Sequence, residues 1–329
     1  PAAGEWSLAV EHSWYRASRV VAAGLTLNYG HNPLVFGYQS LDGTFSQAGG
    51  VIADQLLAHL DVAAAVHDRV LLTLSLPITL LERGSEQYGI APLQGAAVGD
   101  PRLGLRVRVL GQPYRSALSL SAGADVWLPV NSLGDAPPFA AQVGESGVRV
   151  QPKLLLGGLG GGVLWSFSLG FYYRPEQLIG TLPAGSGNAM GSELQLGAAI
   201  AYFRPELRLA IGPEAVLSTI VSGRQGSGSS STSLELLLAA HYNVRQLVQL
   251  GLGAGVGVLH EPGTPDARLL LRLAYAPWPT AKPSRRDRDR IDDPAASCPD
   301  APGSTAPLPP GCPPRGGTGK VADSIRSGR

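Results

Sequence analysis

The stretch Leu103-Gly104-Leu105-Arg106-Val107-Arg108-Val109 decides how this chain is read. Its odd-numbered positions are aliphatic, and its even-numbered positions are glycine or arginine. Successive side chains of a β-strand point to opposite faces, so one face here is wholly apolar and the other carries guanidinium groups. A helix, with a period of 3.6 residues, would mix the two sets.

The same alternation continues in both directions. Upstream, Val21, Ala23, Leu25, Leu27 and Tyr29 oppose Ala22, Gly24, Thr26 and Asn28, and Val70, Leu72, Leu74 and Leu76 oppose Leu71, Thr73 and Ser75. Downstream, Val148, Val150, Pro152, Leu154 and Leu156 oppose Arg149, Gln151 and Lys153, while Leu269, Leu271, Leu273 and Tyr275 oppose Arg268, Leu270 and Arg272. About twelve such segments of roughly 8–13 residues fall between residues 18 and 278, each reading as a strand with one apolar face. In Gly251-x-Gly253-x-Gly255-x-Gly257 the glycines recur at every second residue, so they line one strand face and do not form a dinucleotide fingerprint.

Composition agrees with an all-β chain. Gly (43) and Pro (27) are frequent, and both penalise helix interiors. Hydrophobic residues make up 44% and mean hydropathy is +0.08, too apolar for a disordered chain. The longest nearly apolar run, Val70 to Leu81, is interrupted by Thr73, Ser75, Pro77 and Thr79, and is shorter than the ~18 residues of a spanning helix. A net charge of +1 gives no reason to expect a nucleic-acid partner. The chain opens Pro1-Ala2-Ala3-Gly4 and its one methionine is Met190, so it reads as a processed chain, compatible with an export signal removed beforehand.

A soluble sandwich or barrel would place the apolar faces inside. A transmembrane barrel places them outside, against lipid, with the polar faces lining a lumen. Three features favour the membrane barrel. Short links (His67-Asp68, Gly111–Pro113, Gly157–Gly162, Arg204-Pro205, Asn243–Arg245) alternate with long ones (Gly30–Asp54, Glu82–Gly99, Pro129–Glu145, Pro175–Ala189, Ile220–Thr232), and the last link, Glu261–Asp266, is modest. The apolar face carries no charge in any segment, while the other face carries Arg106, Arg108, Asp125, Arg149, Lys153, Glu193, Arg208, Glu235 and Arg272, which become the expected lumen-lining set, with Asp61 beside them. Tyr29, Trp127 and Tyr173 fall near long-loop ends and Tyr114, Phe203, Tyr242 and Trp278 near short-turn ends, as two interfacial girdles would. Arg106 or Arg149 is expected to pair with Asp125, since buried charges need partners.

After Trp278 the alternation stops, and residues 279–329 read as a linker rich in Pro, Gly, Ser, Arg and Asp. Asp287, Asp289 and Asp293 are spaced to wrap a hard cation such as calcium, although Arg285, Arg286, Arg288 and Arg290 interleave with them as in a solvated, charge-balanced linker. Cys298 and Cys312 enclose a short loop that a disulfide could staple in an oxidising compartment, worth ~3 kcal/mol. No Gly-x-Ser-x-Gly elbow or His-Glu-x-x-His motif occurs, and Gly319-Lys320 is followed by Val321, so it is no phosphate loop; the expectation is a non-enzyme.

The body resembles the barrel halves of OmpA-family outer-membrane proteins in Asn28-Tyr29 with Asn32-Pro33-Leu34, Asp54-Gln55-Leu56, Leu74-Ser75-Leu76-Pro77, Gly99-Asp100-Pro101-Arg102-Leu103-Gly104 and Gly263-Thr264-Pro265-Asp266-Ala267-Arg268-Leu269. The tail resembles the thrombospondin type 3-like calcium repeat that follows such barrels, through Asp287, Asp289, Ile291, Asp293, Cys298-Pro299 and Gly311-Cys312-Pro313. Here Arg290 stands at a glycine of that pattern and Ala296 at an acidic position. The resemblance implies a Gram-negative outer-membrane location with the tail in the periplasm. It also implies a peptidoglycan-binding domain beyond Arg329, absent from this sequence because the chain is a fragment or because this version lacks it.

These readings define a transmembrane antiparallel up-and-down β-barrel of about twelve strands. A lead segment (1–17) precedes the barrel (18–278), and an irregular tail (279–329) follows it. The expected function is an outer-membrane anchor linking lipid to the periplasm or cell wall. The alternatives are a small-solute porin with a weakly anion-preferring lumen and a soluble β-protein that binds a ligand. No cofactor is expected beyond calcium in the tail.

Overall fold

The computed structural model describes residues 1–13, 21–39, 45–67, 69–112, 116–130, 144–145, 147–178, 189–204, 208–222 and 232–277. Its strands are β1 (Val21–Gln39), β2 (Phe45–His67), β3 (Val70–Arg83), β4 (Ala97–Val98), β5 (Arg102–Leu110), β6 (Ser119–Trp127), β7 (Arg149–Gly160), β8 (Val163–Tyr172), β9 (Gln177–Leu178), β10 (Ala189–Met190), β11 (Glu193–Arg204), β12 (Leu209–Ile220), β13 (Thr232–Val244), β14 (Val248–Leu259) and β15 (Ala267–Tyr275). The ring runs β2-β1-β15-β14-β13-β12-β11-β8-β7-β6-β5-β3, and β3 pairs with β2 to close it. The first and last strands of the ring meet from Ala23↔Tyr275 to His31↔Ala267. This is a closed antiparallel barrel of twelve strands. β4 is an appendage to β3, and β9 with β10 forms a small separate hairpin.

The two faces of the wall are sorted as the alternation requires. Leu238 (58%), Leu252 (54%) and Leu271 (47%) are exposed on the outside, whereas Asp125 (2%), Arg106 (3%) and Arg272 (4%) are buried inside. A barrel with leucines outside and paired charges inside is stable only where its outer solvent is apolar. Tyr202, Tyr242 and Tyr275 lie exposed near the short-turn end, and Tyr173 near the long-loop end. Phe203 and Trp127 depart from the expected girdles. Phe203 is buried in a cluster inside the barrel, and Trp127 lines the lumen cavity. Tyr114 and Trp278 lie outside the described residues.

The expected loop from Gly30 to Asp54 is instead an extension of the β1–β2 hairpin, paired from His31↔Asp54 out to Gln39↔Phe45. Asn32-Pro33 and Gly49-Gly50 break the sequence alternation, so this region reads as a loop. Register shifts near these residues absorb the breaks, and Asn32 takes a φ of 54°. The hairpin's Leu34, Val51 and Ile52 pack with Ile90 of the β3–β4 link and Met190 of β10. Because β10 belongs to the connection across the ring from β1 and β2, this cluster reaches over the long-loop end.

Residues 1–13 of the lead segment lie inside the barrel. Ala2 and Ala3 pack against Ala22, Ala63, Leu71 and Ala274, while Trp6 and Val10 pack against Leu164, Ala199, Ala201 and Ala210. Leu8 packs on Leu237 and Leu270. Gly253 of β14 leaves the room for Leu8, since a Cβ there would meet its Cδ1 at 2.7 Å.

Candidate functional site

The lumen is the candidate site, and residues 1–13 plug it. Glu214, at mid-β12, accepts hydrogen bonds from three successive backbone N–H groups of the plug: Leu8 (2.7 Å), Ala9 (2.7 Å) and Val10 (2.9 Å). Plug carbonyls accept from the wall. Gln249 donates to the Glu5 carbonyl (2.9 Å), Arg272 to that of Ser7 (3.0 Å), Ser166 to that of Glu11 (2.7 Å) and Ser121 to that of Ser13 (2.7 Å). A segment without regular structure thereby satisfies its backbone inside a barrel, as a buried chain must.

Ion pairs hold the plug as well. Arg106 of β5 pairs with Glu5 (2.5 Å) and Glu11 (3.0 Å) of the plug, and Lys153 of β7 pairs with Glu11 (2.5 Å) and with Asp125 of β6 (2.6 Å). Arg102 is more loosely placed, 3.6 Å from Asp125 and 3.8 Å from Glu11, with its guanidinium over the Trp127 ring. Asp125 is thus paired with Lys153 and not with Arg106 or Arg149, whose partners lie elsewhere. Burial pushes the Glu11 carboxyl up, but Lys153, Arg106 and Arg102 together outweigh it and hold the carboxyl well below the ordinary range. Burial pushes the His12 imidazole down to about 3, so it is neutral where its Nε2 meets the Trp165 carbonyl at 3.0 Å.

A second charged layer lies toward the long-loop end. Arg149 pairs with Asp100 (2.5 Å) and Glu145 (3.1 Å), Arg174 with Glu145 (3.3 Å) and with Glu193, and Glu193 accepts from Ser218 (2.6 Å). On the far wall Arg268 grips Glu235 through two contacts, at 2.7 and 2.9 Å.

Between the plug and this layer lies a cavity of ≈ 340 Å³, with Pro1, Leu8 and Ala9 as its floor. Of the expected lumen set, Glu235 and Arg272 line the cavity. Arg106, Lys153 and Asp125 belong to the plug's ion pairs, and Arg149 and Glu193 to the outer layer. Arg108 is buried nearer the short-turn end. Arg208 is a correction. It is exposed in the turn before β12 with a φ of 54°, because the strand and its alternation begin only at Leu209. Asp287, Asp289, Asp293, Cys298 and Cys312 lie outside the described residues. Sequence reasoning missed Glu5, Glu11, Asp100, Glu145, Arg174 and Glu214. Ser75, His59 and Asp61 all line the cavity, but no hydrogen bond links Ser75 to His59 or His59 to Asp61.

Fold and site together define a β-barrel of the outer-membrane type with a charged, plugged lumen. The chain is similar to an outer membrane channel from Pseudomonas putida F1, with a TM-score of 0.60 and 14% identity over 81% of this chain and 99% of that one. Weaker likenesses are to the NanC porin (TM-score 0.45, 7% identity, 77% of this chain and 98% of that one) and to the KdgM porin in complex with disordered oligogalacturonate (0.45, 9%, 78% and 99%). No protein-family model and no curated protein matches the chain, so the resemblance to the OmpA family gains no support from either comparison.

Proposed function

We propose that the protein is an outer-membrane channel for small polar solutes, with its short-turn end in the periplasm and its lumen constricted by residues 1–13. The supporting observation is a charged lumen that encloses a cavity and is narrowed by a segment held through side-chain contacts rather than strand pairing. The outer leucines would face the lipid of a Gram-negative outer membrane. Arg272 lines the passage with only neutral acceptors, and Arg102 meets carboxylates only at 3.6 and 3.8 Å, which supports a weak anion preference. The anchor reading, with calcium, a disulfide and peptidoglycan contact, rests on residues 279–329 and on a domain beyond Arg329. The channel reading is favoured because the described residues carry it.

Planar-bilayer recording tests the proposal. Deleting residues 1–13 is expected to raise single-channel conductance, with reversal potentials in a salt gradient showing anion preference. Tethering the plug is expected to hold conductance low. The tether is Val10→Cys with Gly197→Cys in a chain carrying Cys298→Ser and Cys312→Ser, since a Cβ at Gly197 falls 3.2 Å from Val10 Cγ1. Reduction should then restore the untethered level. Equal, absent conductance in all forms would overturn the channel reading.

A further inference from the structure

Most charges in the lumen are matched by close partners, but those on one side of the cavity are not. Arg272, 4% exposed, donates only to neutral acceptors, the Thr26 hydroxyl (3.1 Å) and the Ser7 carbonyl (3.0 Å). Asp61, 6% exposed, has one long hydrogen bond, from Thr26 at 3.5 Å, and among the described residues no cation lies within ion-pairing distance of it. Arg102 is the third member, and the carboxylates nearest to it have closer partners in Lys153 and Arg106. All three face the same cavity. Of the other ionisable groups that line the cavity, Arg268 is engaged by Glu235 and Asp100 by Arg149, and burial favours the neutral form of the Pro1 amine. Asp61 attracts both arginines through space but makes no ion pair with either, so positive and negative groups left open to one cavity mark where a ligand can supply direct partners.

The rest of the wall sets the ligand's body. Leu8, Val216, Leu237 and Leu270 form an apolar patch, and ≈ 340 Å³ lies within the ~300–1,000 Å³ range of small-molecule sites. We propose that this cavity binds a zwitterionic solute of amino-acid size. Arg272 and Arg102 take its carboxylate, Asp61 takes its ammonium, and the leucine patch takes an aliphatic side chain. The proposal deepens the channel reading by naming the solute that the lumen recognises.

The test is equilibrium binding, which requires no conduction. The full chain in detergent micelles is titrated calorimetrically with leucine, with 4-methylpentanoate, which lacks the amine, and with leucinamide, which lacks the carboxylate. Leucine is expected to bind, and each analogue to bind about tenfold more weakly or worse, because each leaves one buried charge unmatched. Asp61→Asn should bring leucine down to the affinity of 4-methylpentanoate. The three-ligand comparison on the unaltered chain stands whether or not the variant folds. Equal affinities, tighter binding of 4-methylpentanoate, or no leucine binding at millimolar concentration would overturn the proposal. Binding without conductance would sink the channel reading alone, and conductance without leucine binding would sink this one alone.

Discussion

Glu214 shows at the scale of one residue how the plug is held. Its carboxylate is 3% exposed, and three plug N–H groups surround it. Glu214→Gln turns one acceptor into a donor aimed at donors. It should weaken plug docking by about 1–3 kcal/mol, read as faster thiol labelling of a Val10→Cys reporter while the barrel's heat-modifiable gel migration is unchanged. A second residue makes a prediction in pH. Glu261, in the link between β14 and β15, has its carboxyl pushed up to about 8 by burial first and by the nearby Glu193 charge second. A raised acid favours the proton-bound docked state. Its contribution is therefore fully present below the ordinary value of 4.5 and is lost as pH rises through about 8. Hydrogen exchange of residues 260–266, corrected for the intrinsic pH dependence of exchange, should show rising opening across that window. Glu261→Gln should flatten the rise, and an unchanged rise in that variant would assign it to another group.

At the scale of the element, the hairpin β1–β2 carries the apolar cluster at the long-loop end. Ile52 is fully buried among Leu34, Val51 and Ile90. Ile52→Ala should cost about 2–4 kcal/mol, but only locally. Exchange should rise in the outer part of the hairpin and in residues 84–92, and stay low in β11–β14. The strands of the ring were legible in the sequence because alternation is a strong, repeated signal, visible even where Gly251 interrupts ordinary strand composition, although the strand through Pro213 was legible only as far as Ile211. The lead segment was not legible as a plug, although its pattern was present: Trp6, Leu8 and Val10 alternate with Glu5, Ser7, Ala9 and Glu11. Its complement was also in plain view, since Leu164, Leu237 and Leu270 sit on the polar face of their strands, where a water-filled lumen has no use for leucine. Neither signal points to the other without coordinates, because strand alternation specifies which face a residue occupies and not what fills the space enclosed. Arg208 illustrates the complementary error, where alternation carried one residue too far into a turn assigns a solvent-exposed arginine to the lumen.

For the whole molecule, the decisive physical feature is that the apolar surface faces outward around a closed ring whose interior holds ion pairs, the plug and one polar cavity. A barrel that stood in water would gain by covering this surface, and the position of a new charge on it would matter little. In a bilayer, cost must follow depth, because only the central band is hydrocarbon. Leu252 lies near mid-β14, registered against Ala240 and Leu271, whereas Val258 lies near the long-loop end of the same strand. Leu252→Arg should destabilise the barrel by about 2–4 kcal/mol, and Val258→Arg by only about 0–1. Both follow from reversible urea unfolding in lipid vesicles, compared through midpoints at constant slope. Equal, small effects at the two positions would place the leucine face in contact with something other than a membrane interior, because no soluble environment distinguishes residues six apart on one exposed face by depth.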